Sequence, residues 1–344
     1  MHCENLHAGS AEHGIVGAAL ARERRAVKEN AMTDADLHRR KQEIIDRSGP
    51  WTGHCIHLGD DLYTWDGAWP TPRLTRYLQV VADVVDRPLE SLRVLDLACL
   101  EGHFGIEFAK HGSEVVAIEG RPNNLERARF AKDVLSLPNL DLRLDDVRNL
   151  DPAVYGHFDV VLCLGILYHL DVPDVMNFLV RIASACRRLL IIDTYFSSSP
   201  LKSIEWNGHT YWGKVGIEHP EDSTAADRLA KAWYSLDNAT SFQLTKPSLC
   251  NGLRRLGFTS VYECLEPFVA GESDDRITLV AIKGSRQTVL SSPITESSPA
   301  TERPESPLSN PLHDMLRSAL SRRKAVAAMQ RIWRRSSRLF ARPR

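Results

Sequence analysis

The 344-residue sequence contains no apolar run of the roughly 20 residues that a membrane-spanning helix needs. Near its start, residues 15–21 are apolar, but Glu4 and Glu12 precede them in place of the basic residues of a secretion signal. Transport through a membrane is therefore not indicated. We expect a cytoplasmic protein.

Cysteine pairs are also missing. The seven cysteines are scattered, odd in number and without a Cys-x-x-Cys motif. This pattern argues against a disulfide framework and against a structural zinc site, and it indicates free thiols in a reducing compartment. His54, His57, Asp60 and Asp61 leave a metal site open as an alternative, but they have no recognised ligand spacing. We expect no metal.

An excess of charge of one sign is lacking as well, because the formal net charge is −1. Such a balance indicates no global field for nucleic acid. The exception is 312–344, where arginines and apolar residues alternate as in a basic amphipathic helix. A membrane surface, a protein partner or a phosphate backbone could each receive that helix. The apolar stripe favours a membrane or a protein partner, which would make the protein peripheral at a membrane.

Glycine is scarce where a nucleotide-binding turn would need it. Residues 93–120 read as a buried strand, a short turn, a helix and a second buried strand. Asp96 closes the first strand, and Glu119 closes the second, at the distance where a carboxylate can accept ribose hydroxyls. A dinucleotide-binding turn has three glycines, whereas only Gly102 and Gly105 are present here. Glu101 is expected to face the ligand, where it would repel pyrophosphate and tolerate a cationic sulfonium.

The stretch 94–102, Val-Leu-Asp-Leu-Ala-Cys-Leu-Glu-Gly, resembles motif I of the class I S-adenosylmethionine (SAM)-dependent methyltransferases. Residues 164–169, Leu-Gly-Ile-Leu-Tyr-His, resemble the branch that contains the tRNA wobble-uridine-5-oxyacetic acid methyltransferases. The resemblance covers about 50–284. Ala98 and Leu100 stand where the family pattern has glycines. The resemblance implies SAM as cofactor, with an acid near 146 accepting from the adenine amino group.

The set of expected cofactor contacts comprises strand-end acids, the turn and the ends of two later strands. They are Asp96, Ala98, Glu101, Gly102, Glu119, Asp146, Val147 and Leu164. After the fourth strand, His169 is the candidate general base, and Tyr168 is the candidate that orients the acceptor. Packing in the seam between sheet and helix is the alternative for either ring.

The order of apolar segments predicts an α/β fold: a Rossmann-like, doubly wound, seven-stranded sheet with an antiparallel last strand. A helical N-terminal extension (1–47) precedes the methyltransferase domain (48–284), in which 197–246 is an aromatic-rich substrate-cap insertion. A disordered linker (285–311) and the basic helix (312–344) follow.

Three functions remain open. The first is a SAM-dependent methyltransferase acting on an O- or N-nucleophile of a small molecule, such as a natural product, sugar or lipid. Aromatic residues in 51–69 and 206–234 favour it, because they can form an apolar pocket. The second is tRNA wobble-uridine modification, which the lack of a basic stripe in the catalytic region argues against. The third is a non-catalytic module recruited by its basic helix, and a dehydrogenase is a weaker alternative.

Overall fold

The structure is a computed structural model that describes residues 33–65, 71–269 and 273–285. The first part of the N-terminal extension, most of the linker and the basic C-terminal helix lie outside the described residues. The helices are α1 (Asp34–Ser48), α2 (Pro72–Val84), α3 (His103–Lys110), α4 (Pro122–Val134), α5 (Pro152–Tyr155), α6 (Asp174–Ala185), α7 (Ala225–Ala230) and α8 (Lys246–Arg255). The strands are β1 (His57–Gly59), β2 (Leu62–Tyr63), β3 (Arg93–Leu97), β4 (Glu114–Glu119), β5 (Leu140–Leu144), β6 (Phe158–Leu164), β7 (Cys186–Tyr195), β8 (Lys202–Trp206), β9 (His209–Ile217), β10 (Thr240–Leu244), β11 (Ser260–Glu263) and β12 (Arg276–Ile282).

Seven strands form the central sheet, in the order β11-β12-β7-β6-β3-β4-β5. Strands β3 to β7 are mutually parallel, while β12 runs antiparallel to β7 and pairs antiparallel with β11. Apolar clusters cover both faces, which is why β6 and β7 are near-continuous apolar runs. The predicted Rossmann-like sheet with an antiparallel last strand is confirmed.

Helix ends follow the expected local chemistry. Thr33 caps α1 by accepting a hydrogen bond from the Asp36 N–H, and a proline opens α4. Instead of covering the cavity described below, α1 packs along α4, where Arg47 and Ser48 both contact Glu126. The N-terminal extension thus meets the domain through a helix-on-helix contact.

The predicted insertion contains a three-stranded antiparallel sheet, β10-β9-β8, and the short helix α7. It joins the central domain beside a 3₁₀ turn, Leu167–His169, that follows β6. Phe242 of β10 donates its backbone N–H to the carbonyl of Leu170 at 2.8 Å. The proposed division into domains stays a prediction.

Across the described ranges, none of the helices is long and apolar enough to cross a membrane. The six cysteines in those ranges are free thiols.

Candidate active site

The carboxyl ends of β3, β4 and β6 open onto a cavity of about 670 Å³, a size suited to a cofactor-sized ligand. Its lining includes five of the residues predicted to contact a cofactor, Asp96, Ala98, Glu119, Val147 and Leu164, and also Tyr168, His169, Tyr195, Glu218 and Arg276. A doubly wound sheet places its ligands at this edge. The cavity therefore brings most of the predicted residues together.

The turn after β3 has a left-handed backbone at alternate residues: φ is +54° at Ala98, +53° at Leu100 and +84° at Gly102. A side chain in this conformation costs about 1–2 kcal/mol, so two of the three positions are strained. The Leu100 side chain lies against Gly53, where an added Cβ would stand 2.2 Å from its Cδ2. Because Leu100 stands where the family pattern has a glycine, the facing loop has a glycine at 53, which leaves room for the Leu100 side chain.

Asp96 is buried, at 1% exposure, and accepts the Gly105 N–H at 2.9 Å. Burial raises the pKa of Asp96 to about 7; the negative charge of Glu119 adds to the rise, and the Gly105 N–H opposes it. At neutral pH, Asp96 therefore exists in both protonation states.

Glu119 is held by three N–H donors. Its Oε2 accepts from the Leu100 N–H at 2.9 Å, and its Oε1 accepts from the Arg121 N–H at 2.9 Å and from Asn124 Nδ2 at 3.2 Å. Burial raises the pKa of Glu119, and these donors partly offset the rise. Because a carboxylate has about four acceptor positions, about one is left for a ligand hydroxyl.

Glu101 requires a correction, because it does not line the cavity. It is fully buried, accepts the backbone N–H groups of Thr52 (2.7 Å) and Gly53 (2.9 Å), and pairs with Arg127 Nε at 3.1 Å. The expectation that Glu101 faces the ligand is wrong, since its charge fixes the loop that packs on Leu100. Glu101 therefore cannot attract a sulfonium ligand in the cavity.

Two further predicted contacts also lie outside the lining. Gly102 is the N-cap of α3, and an added Cβ there would lie 3.1 Å from the Ala128 Cβ, so this glycine serves close packing of α3 on α4. Asp146 accepts the Arg148 backbone N–H at 2.9 Å and forms an ion pair with the Arg148 guanidinium at 2.5 Å. In this structure the Asp146 carboxylate is engaged by Arg148, whereas Val147 lines the cavity.

His169 ends the 3₁₀ turn after β6 and is paired with an acid from the cap. Its Nδ1 lies 2.8 Å from Glu218 Oε2, which follows β9. Burial acts to raise the pKa of Glu218, but the hydrogen bond from His169, the charge of that ring when protonated and the hydrogen bond from the Ser235 N–H together lower the pKa. An ionised carboxylate can only accept, so Nδ1 carries the proton in the neutral ring and Nε2 remains as the proton acceptor.

Tyr168 adjoins a second polar group at the ends of β7 and β12. Its ring packs edge-on against Tyr195 at 4.9 Å, and burial raises the pKa of Tyr168. Behind them, Asp193 accepts from Arg276 Nε at 2.6 Å and from the Tyr77 hydroxyl at 2.8 Å. The Tyr168 hydroxyl therefore stays neutral and can donate or accept a hydrogen bond.

Two histidines near β1, His54 in the loop before it and His57 at its first residue, are kept apart by their packing. His54 stacks on His103 at 4.9 Å and lines the cavity, and burial, with Arg73 and Arg276 nearby, lowers the pKa of His54 to about 4. His57 stacks on Tyr63 instead. In the described part of the chain, three or more His, Cys, Asp or Glu side chains nowhere gather as a metal site would require.

Several residues of this site have no signature in the sequence. Glu218 is 49 positions from His169, and Arg276 is 83 positions from Asp193. Only the folding of the cap and of β12 brings these partners together. A signal for Glu218 was present only in the unusual length of the insertion.

Comparisons with known proteins bear on this site. Residues 94–188 match the sequence profile of a methyltransferase domain. A ubiquinone biosynthesis O-methyltransferase of Xanthomonas oryzae pv. oryzae is 32% identical over 128 residues, which cover 37% of this chain and 51% of that protein. The corresponding protein of Methylocella silvestris is 37% identical over 92 residues, which cover 27% and 34%. The chain thus spans about half the length, or less, of these curated relatives.

A solved structure extends the likeness beyond the matched segment. The N-terminal domain of EvdMO1, crystallised in the presence of SAH (S-adenosylhomocysteine) and D-fucose, superposes with a TM-score of 0.56 and 23% identity, covering 75% of this chain and 99% of that one. At this identity the likeness shows the fold alone. The profile match over residues 94–188 confirms the resemblance of motif I to the SAM-dependent methyltransferases, and the solved structure adds a shared fold.

Proposed function

We propose that the protein transfers the methyl group of SAM to a hydroxyl oxygen of a small-molecule acceptor. One observation carries the proposal: the His169–Glu218 pair and the strand-end acids Asp96 and Glu119 line one cavity. The acids suit the cofactor. The histidine suits an acceptor that must lose a proton.

The cofactor half fits the donor set of SAM. Glu119 has about one acceptor position left for a ribose hydroxyl, and Val147 offers an apolar contact beside it. Asp96 adds a carboxylate near the turn. When bound, SAM supplies a methyl group already activated by positive sulfur.

The acceptor half supplies a base. A hydroxyl is a weak nucleophile until its proton is withdrawn, and a positioned base typically contributes about 10²–10⁴-fold in rate. His169 Nε2 takes that proton, and Glu218 at Nδ1 stabilises the imidazolium that forms. Tyr168, which lines the same cavity, orients the hydroxyl in this proposal through its own neutral hydroxyl group.

The comparisons support oxygen as the acceptor atom and a small acceptor. The curated relatives described above are named for O-methylation in ubiquinone biosynthesis, and the solved neighbour was crystallised with a sugar. Phenols and sugars both present hydroxyls. These are the two acceptor classes we propose.

Calorimetric titration tests the cofactor half. We expect SAH to bind the full chain with micromolar affinity and NAD to give no signal. Glu119→Ala should weaken SAH binding about tenfold or more, because a hydrogen bond to a charged group contributes about 1.5–3 kcal/mol. Binding of NAD alone would contradict the proposal.

Transfer of tritiated methyl from SAM to a panel of catechols and simple sugars tests the acceptor half. His169→Gln should lower turnover by about 10²–10⁴-fold while leaving SAH affinity near that of the wild type. The control is His209→Gln, an exposed histidine of β9, which should change neither value. Equal activity of His169→Gln and the wild type would remove His169 from the proposal.

A further inference from the structure

We infer that Arg121 is a positioning residue that connects the cofactor half of the cavity to the acid–base pair. Its guanidinium holds the cap segment 228–235, and the Ser235 N–H of that segment orients Glu218. This inference rests on the proposed function. It adds a connection between the two halves of the same site.

The contacts of Arg121 begin at the cofactor side. Two residues after Glu119, it donates its backbone N–H to Glu119 Oε1 at 2.9 Å. Its side chain then leaves the sheet and is buried, at 8% exposure, against the cap. One residue thus contacts the predicted ribose acid with its main chain and the cap with its side chain.

The guanidinium is surrounded by carbonyl groups from the last turn of α7 and from the segment that follows it. Nε donates to the carbonyl of Leu229 at 3.0 Å, and Nη2 lies 2.9 Å from the carbonyls of Lys231, Tyr234 and Ser235. Helix C-termini leave such carbonyls unpaired and attract a cation. A buried guanidinium also needs acceptors around it, so cap segment and charge stabilise one another.

The same cap segment also contacts the acid–base pair of Glu218 and His169. Ser235 donates its backbone N–H to Glu218 Oε2 at 2.9 Å, and the same oxygen lies 2.8 Å from His169 Nδ1. Asn238 Nδ2 donates to the backbone carbonyl of His169 at 2.8 Å. The cap therefore holds both the side chain and the main chain of His169.

Leu236, which directly follows this segment, covers Gly120, the residue between Glu119 and Arg121. A Cβ added to Gly120 would lie 2.5 Å from Leu236 Cδ1. Gly120, Trp233 and Leu236 all line the cavity. Because a ligand on Glu119 would lie beside this contact, cofactor occupancy and the position of 228–235 are coupled, and such coupling is reciprocal.

The test compares Arg121→Met, Arg121→Lys and the wild type in the full chain. Methionine keeps the length of the side chain and removes its donors, whereas lysine keeps the charge but reaches fewer carbonyls. Arg129→Met is the matched control, because Arg129 is an exposed arginine on α4. Hydrogen exchange of the Ser235 amide and ¹⁵N spectra of the His169 imidazole are the readouts, with His169→Gln assigning the signal.

We expect Arg121→Met to exchange the Ser235 amide about tenfold faster or more, since exchange follows local opening. It should also lose the dominant Nδ1–H tautomer of His169, and Arg121→Lys should recover part of both effects. SAH should slow Ser235 exchange in the wild type and not in Arg121→Met. The Arg129→Met control should match the wild type.

Unchanged Ser235 exchange and an unchanged tautomer in folded Arg121→Met, with SAH still bound by the wild type, would overturn this inference alone. If Arg121→Met does not fold, the same unchanged readouts in Arg121→Lys would overturn it. Absence of SAH binding to the wild type would instead defeat the proposed function, and this inference with it.

Discussion

Replacement of Asp96 by Asn should stabilise the protein, and the gain should depend on pH. The buried carboxyl has a pKa of about 7 instead of 3.8, chiefly because burial disfavours its charged form. Asn keeps the size of the side chain and an oxygen that can accept the Gly105 N–H. Only the ionisation is removed.

The sign and size follow from proton linkage. Between pH 3.8 and about 7 the native state binds the Asp96 proton more tightly than the unfolded chain does, so stability falls as pH rises through this window. Above about pH 7 Asp96 is ionised in both the native and the unfolded protein. The buried charge then lowers the free energy of unfolding by about 4 kcal/mol, which corresponds to a pKa difference of about three. At pH 4.5 the cost is about 1 kcal/mol.

Urea unfolding of the cofactor-free protein at pH 4.5, 6 and 8 measures this cost. The free energy of unfolding of Asp96→Asn minus that of the wild type should grow by about 3 kcal/mol from pH 4.5 to pH 8, since groups that do not interact with Asp96 cancel in the difference. Asp141→Asn, which alters a half-exposed carboxyl on β5, serves as the control and should show no such growth. A difference for Asp96→Asn that stays constant across this range would refute the reasoning.

Three further outcomes are expected. Ala98→Gly should raise the free energy of unfolding by up to about 1 kcal/mol in denaturant titrations, because it relieves a left-handed residue, whereas Ala109→Gly inside α3 should lower it. Glu101→Ala should cost about 3–5 kcal/mol by leaving a buried arginine unpaired, and Glu107→Ala on the partly exposed face of α3 should cost under about 1 kcal/mol in the same assay. Glu119→Gln should bind SAH more weakly than the wild type in calorimetry yet better than Glu119→Ala, since an amide oxygen still accepts.

The sheet and the cofactor side of the cavity could be predicted because both are local in sequence. Apolar runs of strand length mark β3 to β7, and acids at the ends of β3 and β4 necessarily meet at one edge of a parallel sheet. Asp96, Glu119 and Leu164 were accordingly expected where they lie.

The rest depends on contacts between distant segments. Glu101 is adjacent to the turn in sequence, but whether its side chain faces the ligand or the 52–53 loop is decided by Arg127, 26 residues later. Asp146 is likewise turned toward Arg148, which also pairs with Asp237 of the cap at 2.7 Å. No periodicity records such pairings, since each depends on the folded position of a loop.

Glu101 does not line the cavity, whereas the acids Asp96 and Glu119 do, so of these three only the latter two could attract a cationic cofactor at the strand ends. Glu101 has a formal positive charge beside it in Arg127, whereas the hydrogen-bond donors that the structure gives to Asp96 and Glu119 are N–H groups. The Arg121 guanidinium next to Glu119 is directed at cap carbonyls. Burial raises the pKa of both acids, which means that their surroundings in the protein disfavour their charged forms. Asp96 and Glu119 thus replace Glu101 as the acids of this cavity that would attract a sulfonium cation.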